Sequence, residues 1–519
     1  MSSAPDPSTP SPWLHHAADA AALRNGRRLA WVLLFAFAVL TWFGVRHGIG
    51  SSWRECDTQS IARNFLLDGF DPLRPRVDWR GDTDGAVECE FPLYQMAVAV
   101  VLRVVGDVDA EWPGRLLALL SLLCAGYGVH RLAEWRNGPA AALAALVAFL
   151  CTGAAWLMAT RVVPDATSLA LTVNGILVFA RYLASGSRLA LLLAGTMVTL
   201  AGLQKPLALQ AGLVMFGWTL VLARRRLADP LLWMVLVGAP AVVAAWLVHG
   251  AHIHAETGLS FGVVSGGDTK FPGLDQLLDP AIHRSLVETT AKFGFSVLAM
   301  LGLLVTLVRR RFDRSDLVLL LAMSAGLLVS LRYSHTEALG PQYHAFAAAV
   351  GGWFVGRAFP GLTRREVPSV LVRGFLFLLV LGVAALQCRF AAKNERGVRN
   401  VVNELPIVQV AHEARSLIEP GALIVARSAK PRYDVEWARN QNCEDPRFFY
   451  LARARGWVIA REEFTADRLA HLRRAGARYV YDVMPEENDP ATAAWLKDNA
   501  ERLVERADGG AFYRLRPRQ

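Results

Sequence analysis

Long uncharged apolar runs constrain this chain more than any other feature. Pro139–Ala159 carries no charge, and neither do Leu207–Ala223 and Pro230–Val248. A run of roughly 17–25 apolar residues is long enough to cross a bilayer as a helix. Within lipid only a helix or a closed barrel satisfies its own backbone, and these runs lack the alternation of barrel strands. The whole chain agrees: 53% of its 519 residues are hydrophobic and the mean hydropathy is +0.30. The expected fold is a polytopic α-helical membrane protein.

Twelve candidate spans can be read: Leu29–Val45, Phe91–Val105, Gly114–Val129, Pro139–Ala159, Ala166–Ala180, Leu189–Leu203, Leu207–Ala223, Pro230–Val248, Phe293–Val308, Leu317–Leu331, Pro341–Val355 and Val370–Leu386. Lys and Arg beside span ends mark the cytoplasmic side. Arg24, Arg27 and Arg28 place the N-terminus inside. The clusters Arg224–Arg226, Arg309–Arg311 with Arg314, and Arg364–Arg365 follow it only if one early candidate does not cross. Phe91–Val105 is short and carries Arg103, so it is expected to lie along the outer surface. About eleven spans remain, with the C-terminus outside. The net charge of +10 does not point to nucleic acid, because most basic residues sit in short loops beside apolar runs. The expected localisation is a bacterial inner membrane.

Three regions follow. Residues 1–26 read as a disordered cytoplasmic tail rich in Pro, Ser and Ala, and 27–388 as the membrane domain. Residues 389–519 read as an extracytoplasmic soluble α/β domain. Its expected strands are Gly421–Ala426, Trp457–Ala460, Tyr479–Val483 and Phe512–Leu515. Its expected helices are Phe448–Ala454, Ala466–Ala475 behind an N-cap Thr465, and Ala491–Glu505. No Gly-rich phosphate loop is present, so no nucleotide is expected.

The chemically varied residues collect in the outer loops. The first loop carries Glu55 and Asp57 about ten residues after the first span, and ends in Glu88-Cys89-Glu90. Carboxylates at a membrane surface are costly without a partner. A metal ion, a basic substrate or a proton transfer would explain them; so would a solvated loop balanced by Arg54, Arg63, Arg74 and Arg76. Asp165 follows Pro164 and Lys205 precedes Pro206, each at an outer mouth between spans. The bland reading of Lys205 is a side chain snorkelling to the interface. His335, Glu337, Tyr343 and His344 form another outer cluster, and His335 and His344 with Glu88 and Glu90 are candidate ligands for a divalent metal.

The motifs resemble those of the C-type glycosyltransferase superfamily, in its protein O-mannosyltransferase and aminoarabinose-transferase-like branch. The resemblance rests on Glu55/Asp57, Ile61-Ala62-Arg63-Asn64, Gly69-Phe70-Asp71-Pro72, Glu90-Phe91-Pro92-Leu93-Tyr94, the Arg115 helix, Arg161-Val162-Val163-Pro164-Asp165 and Gln204-Lys205-Pro206. Thr58 stands where the family often has the second acid of an Asp-Glu pair. Glu90-Phe91-Pro92-Leu93 stands where aminoarabinose transferases often have Lys-Pro-Pro-Leu. The resemblance implies transfer from a polyprenyl-phosphate sugar to an acceptor glycan, lipid or protein. It implies Asp57 as base, with Glu55 the other candidate, and Asp165 orienting acceptor or metal. It implies Lys205 on the lipid phosphate and Glu90, Tyr94, Arg63 and Tyr343 in substrate binding. The rival readings are a transporter or flippase, and a scaffold presenting the C-terminal domain. Convergence of Asp57 and Asp165 in one cavity separates the enzyme from both.

Of six cysteines, Cys124 and Cys151 lie in spans, while Cys56, Cys89, Cys388 and Cys443 lie on the oxidising side. A Cys56–Cys89 bridge would close a loop of about 30 residues and stabilise by roughly 3 kcal/mol. Cys388–Cys443 is a second expected pair, and four free thiols the alternative.

Overall fold

The computed structural model describes residues 20–47, 52–265, 271–336, 341–359, 370–434, 439–440, 443–506 and 510–517. The tail before residue 20, Glu337 and the Arg364–Arg365 cluster lie outside them. The first ten helices are α1 (Ala20–His47), α2 (Trp53–Leu67), α3 (Leu93–Val105), α4 (Trp112–Asn137), α5 (Pro139–Leu150), α6 (Gly153–Thr160), α7 (Asp165–Ser185), α8 (Arg188–Gln204), α9 (Gln210–Leu222) and α10 (Pro230–Thr257). Among the described residues α4, α7 and α10 are each long and apolar enough to cross a membrane.

Two expected spans are bent. The Pro139–Ala159 run breaks at Cys151–Thr152, so that α5 and α6 meet at 67°. Thr152 causes the break: its backbone is extended and its hydroxyl caps Ala155 N, starting a new helix. The close contact of Gly153 with Phe293 fills the corner. The second bend, 99°, separates the helix Pro280–Phe293 from Val297–Val308. Ser296 caps the latter, so that span starts four residues later than the sequence predicts.

The helix Val370–Asn403 continues well past Cys388, where the domain boundary was expected. Beyond it stands a five-stranded sheet in the order β4-β1-β5-β7-β6. Its strands are β1 (Leu423–Arg427), β4 (Arg455–Ile459), β5 (Ala477–Asp482), β6 (Ala500–Glu505) and β7 (Ala511–Leu515), with β2 (Tyr433–Asp434) and β3 (Arg439–Asn440) forming a separate hairpin pair. The helix expected over Ala491–Glu505 ends at Asn499. Its last six residues are instead β6, paired antiparallel to β7. Sheet pairing overrides a weak local helix preference there.

The sheet is fastened to the first loop. Arg455 holds the Asp68 carboxylate at 3.0 Å, and Trp457 Nε1 donates to Asp82 at 3.0 Å. Gly456 N donates to Asp78 O and Gly81 N to Gly456 O. A side chain at Gly456 would put its Cβ 1.9 Å from Ile424 O, so only glycine lets β4 lie this close to β1.

Candidate active site

Two prolines set the positions of the central charges. Pro206 forces the residue before it out of helical geometry, and Lys205 is extended (φ −150°, ψ 104°), ending α8. Pro164 precedes Asp165, the first residue of α7, where the helix N-terminus favours a negative charge. Glu90 arrives from the first loop. Phe91 N donates to Leu203 O at 2.9 Å and the Phe91 ring meets Trp246 edge-on at 4.9 Å. These contacts pin the loop to the end of α8, beside Lys205.

The result is a compact cluster. Lys205 Nζ lies 3.5 Å from Glu90 Oε1 and 3.5 Å from Asp165 Oδ1. The other Glu90 oxygen accepts from Arg54 Nη2 at 2.8 Å. The Tyr343 ring lies under Lys205, 5.8 Å from Nζ. Burial disfavours a charged Glu90, but Arg54 and Lys205 outweigh it and hold its pKa at about 2. Lys205 is pushed the opposite way by burial, yet Asp165 and Glu90 raise it above the ordinary lysine value.

Asp57 projects from α2, a helix buried from Glu55 through Phe65. Its Oδ1 accepts from Trp79 Nε1 at 3.1 Å. Burial raises its pKa to about 8, against the Trp79 bond and the charge of Arg54, and Asp445 and Asp78 raise it further. Arg54 is within electrostatic range of Asp57, Asp165 and Glu90 together. Beside the cluster a small cavity of about 50 Å³ is lined by Asp165, Lys205, Gln342 and Tyr343 and walled by Leu169, Leu207 and Phe346.

The remaining sequence-predicted residues lie elsewhere in the local fabric. Glu55 is a tie: Oε1 accepts from Val162 N at 3.1 Å and Oε2 from the Ser52 hydroxyl at 2.6 Å. Tyr94 donates to Gly114 O at 2.6 Å. Arg63 binds Asp78 at 2.6 Å and Asp109 at 3.2 Å and lies 5.0 Å from the Tyr450 ring centre, joining loop and sheet domain. Arg54 and Trp79 went unassigned in the sequence. Arg54 was visible only as a charge balancing the loop, and Trp79 has no local signal, since it meets Asp57 through tertiary folding.

The expected metal ligands do not gather. Glu88 accepts from Val264 N, Ser265 N and the Ser260 hydroxyl, and so clasps a neighbouring loop. His335 Nδ1 lies 2.7 Å from Leu331 O, and His344 Nε2 2.9 Å from Ser334 O. Glu90 is taken by two cations. Among the described residues no group of three or more His, Cys, Asp or Glu is arranged to hold a metal ion. The expected bridges are also corrected: Cys56, Cys89, Cys388 and Cys443 form no disulfide among the described residues. Cys56 and Cys89 are buried, and the convergence of the loop ends rests on the Glu90 ion pairs and the Phe91 contacts instead.

The fold is shared with solved glycosyltransferases of low sequence identity. Residues 90–249 match the family described as dolichyl-phosphate-mannose-protein mannosyltransferase. The fold is similar to that of ArnT from Cupriavidus metallidurans in the apo state, with 15% identity, 94% of this chain and 98% of that one covered, and a TM-score of 0.59. It is also similar to the same protein bound to undecaprenyl phosphate (15% identity, 93% and 97% covered, TM-score 0.57). A third likeness is to the oligosaccharyltransferase AglB from Archaeoglobus fulgidus in complex with an inhibitory peptide and a dolichol-phosphate (10% identity, 94% and 74% covered, TM-score 0.57). No curated protein matches the chain in sequence.

Proposed function

We propose that this protein is a multi-pass membrane glycosyltransferase that moves a sugar from a polyprenyl phosphate to an acceptor hydroxyl or phosphate. The observation that carries this reading is the cluster in which Lys205 and Arg54 stand among Asp57, Asp165 and Glu90 beside an apolar-walled cavity. The relatives with bound undecaprenyl phosphate and dolichol-phosphate support a lipid-phosphate donor.

In this reading the acceptor oxygen attacks the anomeric carbon and its proton passes to the Asp57 carboxylate. The bond from that carbon to the phosphate oxygen breaks, and the electron pair leaves with the polyprenyl phosphate. Lys205 stabilises the charge gathering on that phosphate, and Tyr343 shapes the floor beneath it. Arg54 and Glu90 keep Lys205 and Asp165 in register. The same reading takes about eleven spans, residues 27–388 as the membrane domain and 389–519 as an extracytoplasmic cap, with the site facing outward from a bacterial inner membrane.

The test uses the full-length protein in detergent with a panel of polyprenyl-phosphate sugars and an envelope extract as acceptor. Release of free polyprenyl phosphate is expected from one donor. Translocation of an intact donor without cleavage would replace the enzyme with a flippase.

A further inference from the structure

A much larger cavity lies away from the cluster. It holds about 580 Å³ and is lined by Leu40 and Thr41 of α1, Trp156 and Thr160 of α6, and one stripe of the helix Val370–Asn403. The stripe is Ala385, Cys388, Arg389, Ala392, Glu395 and Arg396. Such spacing keeps these side chains on one helical face, and the two alanines leave the room. The volume is ample for a ligand.

Three features say what kind of ligand fits. The cavity opens beside an apolar surface: Phe35, Val39 and Leu40 are exposed on α1, and Leu386 and Phe390 on its partner helix. Arg389 and Arg396 are exposed at the cavity and have no ion-pair partner among the described residues. Glu395 lines the same cavity but is buried, accepting from the Thr160 hydroxyl at 3.3 Å, and leaves two arginines against one carboxylate. Trp156 is 7% exposed, yet its buried Nε1 has no hydrogen-bond acceptor among the described residues. The Cys388 sulfur beside it is a weak acceptor. Two guanidiniums without a carboxylate partner and a Trp N–H met only by a thiol sulfur, next to lipid-facing apolar surface, suit an anionic headgroup on an apolar chain.

We propose that this cavity binds a phosphate-bearing membrane lipid, with its phosphate on Arg389 and Arg396 and its chain along Leu40, Trp156 and Ala392. The site is separate from the Lys205 cluster and stands whether or not the protein is a glycosyltransferase. It can still be felt there, because Thr160 on its wall is five residues from Asp165 and Glu55 grips the intervening Val162.

Native mass spectrometry of the full-length protein, titrated with dioleoyl phosphatidic acid and with dioleoyl phosphatidylcholine, tests this. Phosphatidic acid should be retained in preference. The double variant R389A/R396A should bind it about 30-fold more weakly, the equivalent of about 2 kcal/mol for two arginine contacts. R389K/R396K should keep most of the affinity, and Trp156→Phe should lose part of it. Lys205→Ala should leave this binding intact. Equal retention of the two lipids, or an undiminished double variant that still elutes as a folded species, would overturn the proposal. Displacement of the lipid by inorganic phosphate would do so as well, since the site would then be one for a free anion.

Discussion

Helices α2 and α10 invert the rule of soluble proteins. α10 is the more apolar, with a mean hydropathy of 2.3 over its best window, yet only 22% of that window is buried. α2 carries Arg54, Glu55, Asp57, Arg63 and Asn64, yet is buried from Glu55 to Phe65. In a bilayer an apolar face needs no protein partner, so α10 turns its surface outward to lipid. Charged groups in α2 need partners, and they find them: Glu90 for Arg54, Val162 for Glu55, Trp79 for Asp57, Asp78 for Arg63. Here it is charge rather than carbon that demands a protein interior.

Substitutions that break this contrast should differ by orders of magnitude. The largest effect is expected at Asp57. Asp57→Asn keeps shape and the Trp79 contact but removes the base, and transfer should fall by roughly 10²–10⁴-fold. Chromatographic behaviour and thermal unfolding should stay those of the wild type. Normal turnover would move the base elsewhere, with Glu55 next in line despite its structural ties.

Lys205→Ala removes one phosphate contact and leaves Glu90 with Arg54 alone. Donor KM should rise by roughly 10–100-fold, on the scale of a lost charged hydrogen bond. An unchanged donor KM would separate Lys205 from the lipid phosphate. At Arg63 the effect should fall on stability. Arg63→Ala leaves the buried Asp78 with only the Asn64 amide and Asp109 with only Arg453, and should cost about 3 kcal/mol. Its readout is early release of the C-terminal sheet domain to limited proteolysis, with KM for donor unchanged. A KM effect without a stability effect would restore Arg63 to substrate binding. The smallest effect belongs to α10: Val237→Ala, at an exposed apolar position, should change unfolding and turnover by less than about 0.5 kcal/mol.

Much of this contrast can be read from the sequence. Apolar runs announce the helices, because a span must be continuous and uncharged. The positions of Asp165 and Lys205 can be anticipated, because Pro164 and Pro206 mark the ends of helices. The partnerships are less legible. Arg54 and Glu90 stand 36 residues apart, and the anchoring of Phe91 on Leu203 and Trp246 brings them together. Trp79 reaches Asp57 through a loop with no periodic signal. The cysteines mislead because nearness in a loop does not fix geometry. The histidines mislead because each is met by a backbone carbonyl, Leu331 O for His335 and Ser334 O for His344. The break at Thr152 shows how one capping hydroxyl can bend a run that composition alone makes straight.

The account rests on Asp57 being a buried carboxyl that must lose its proton to act. Burial sets its pKa at about 8, so the basic form grows as pH rises through that value. The most direct test is the pH dependence of kcat/KM for transfer, for the wild type and for Trp79→Phe. The Phe variant lacks the N–H that favours the carboxylate, so its limb should move to higher pH. The account predicts a wild-type rate that climbs through about pH 8 and a variant limb displaced upward. A rate flat from pH 6 to 9, or a limb that Trp79→Phe does not move, would contradict it.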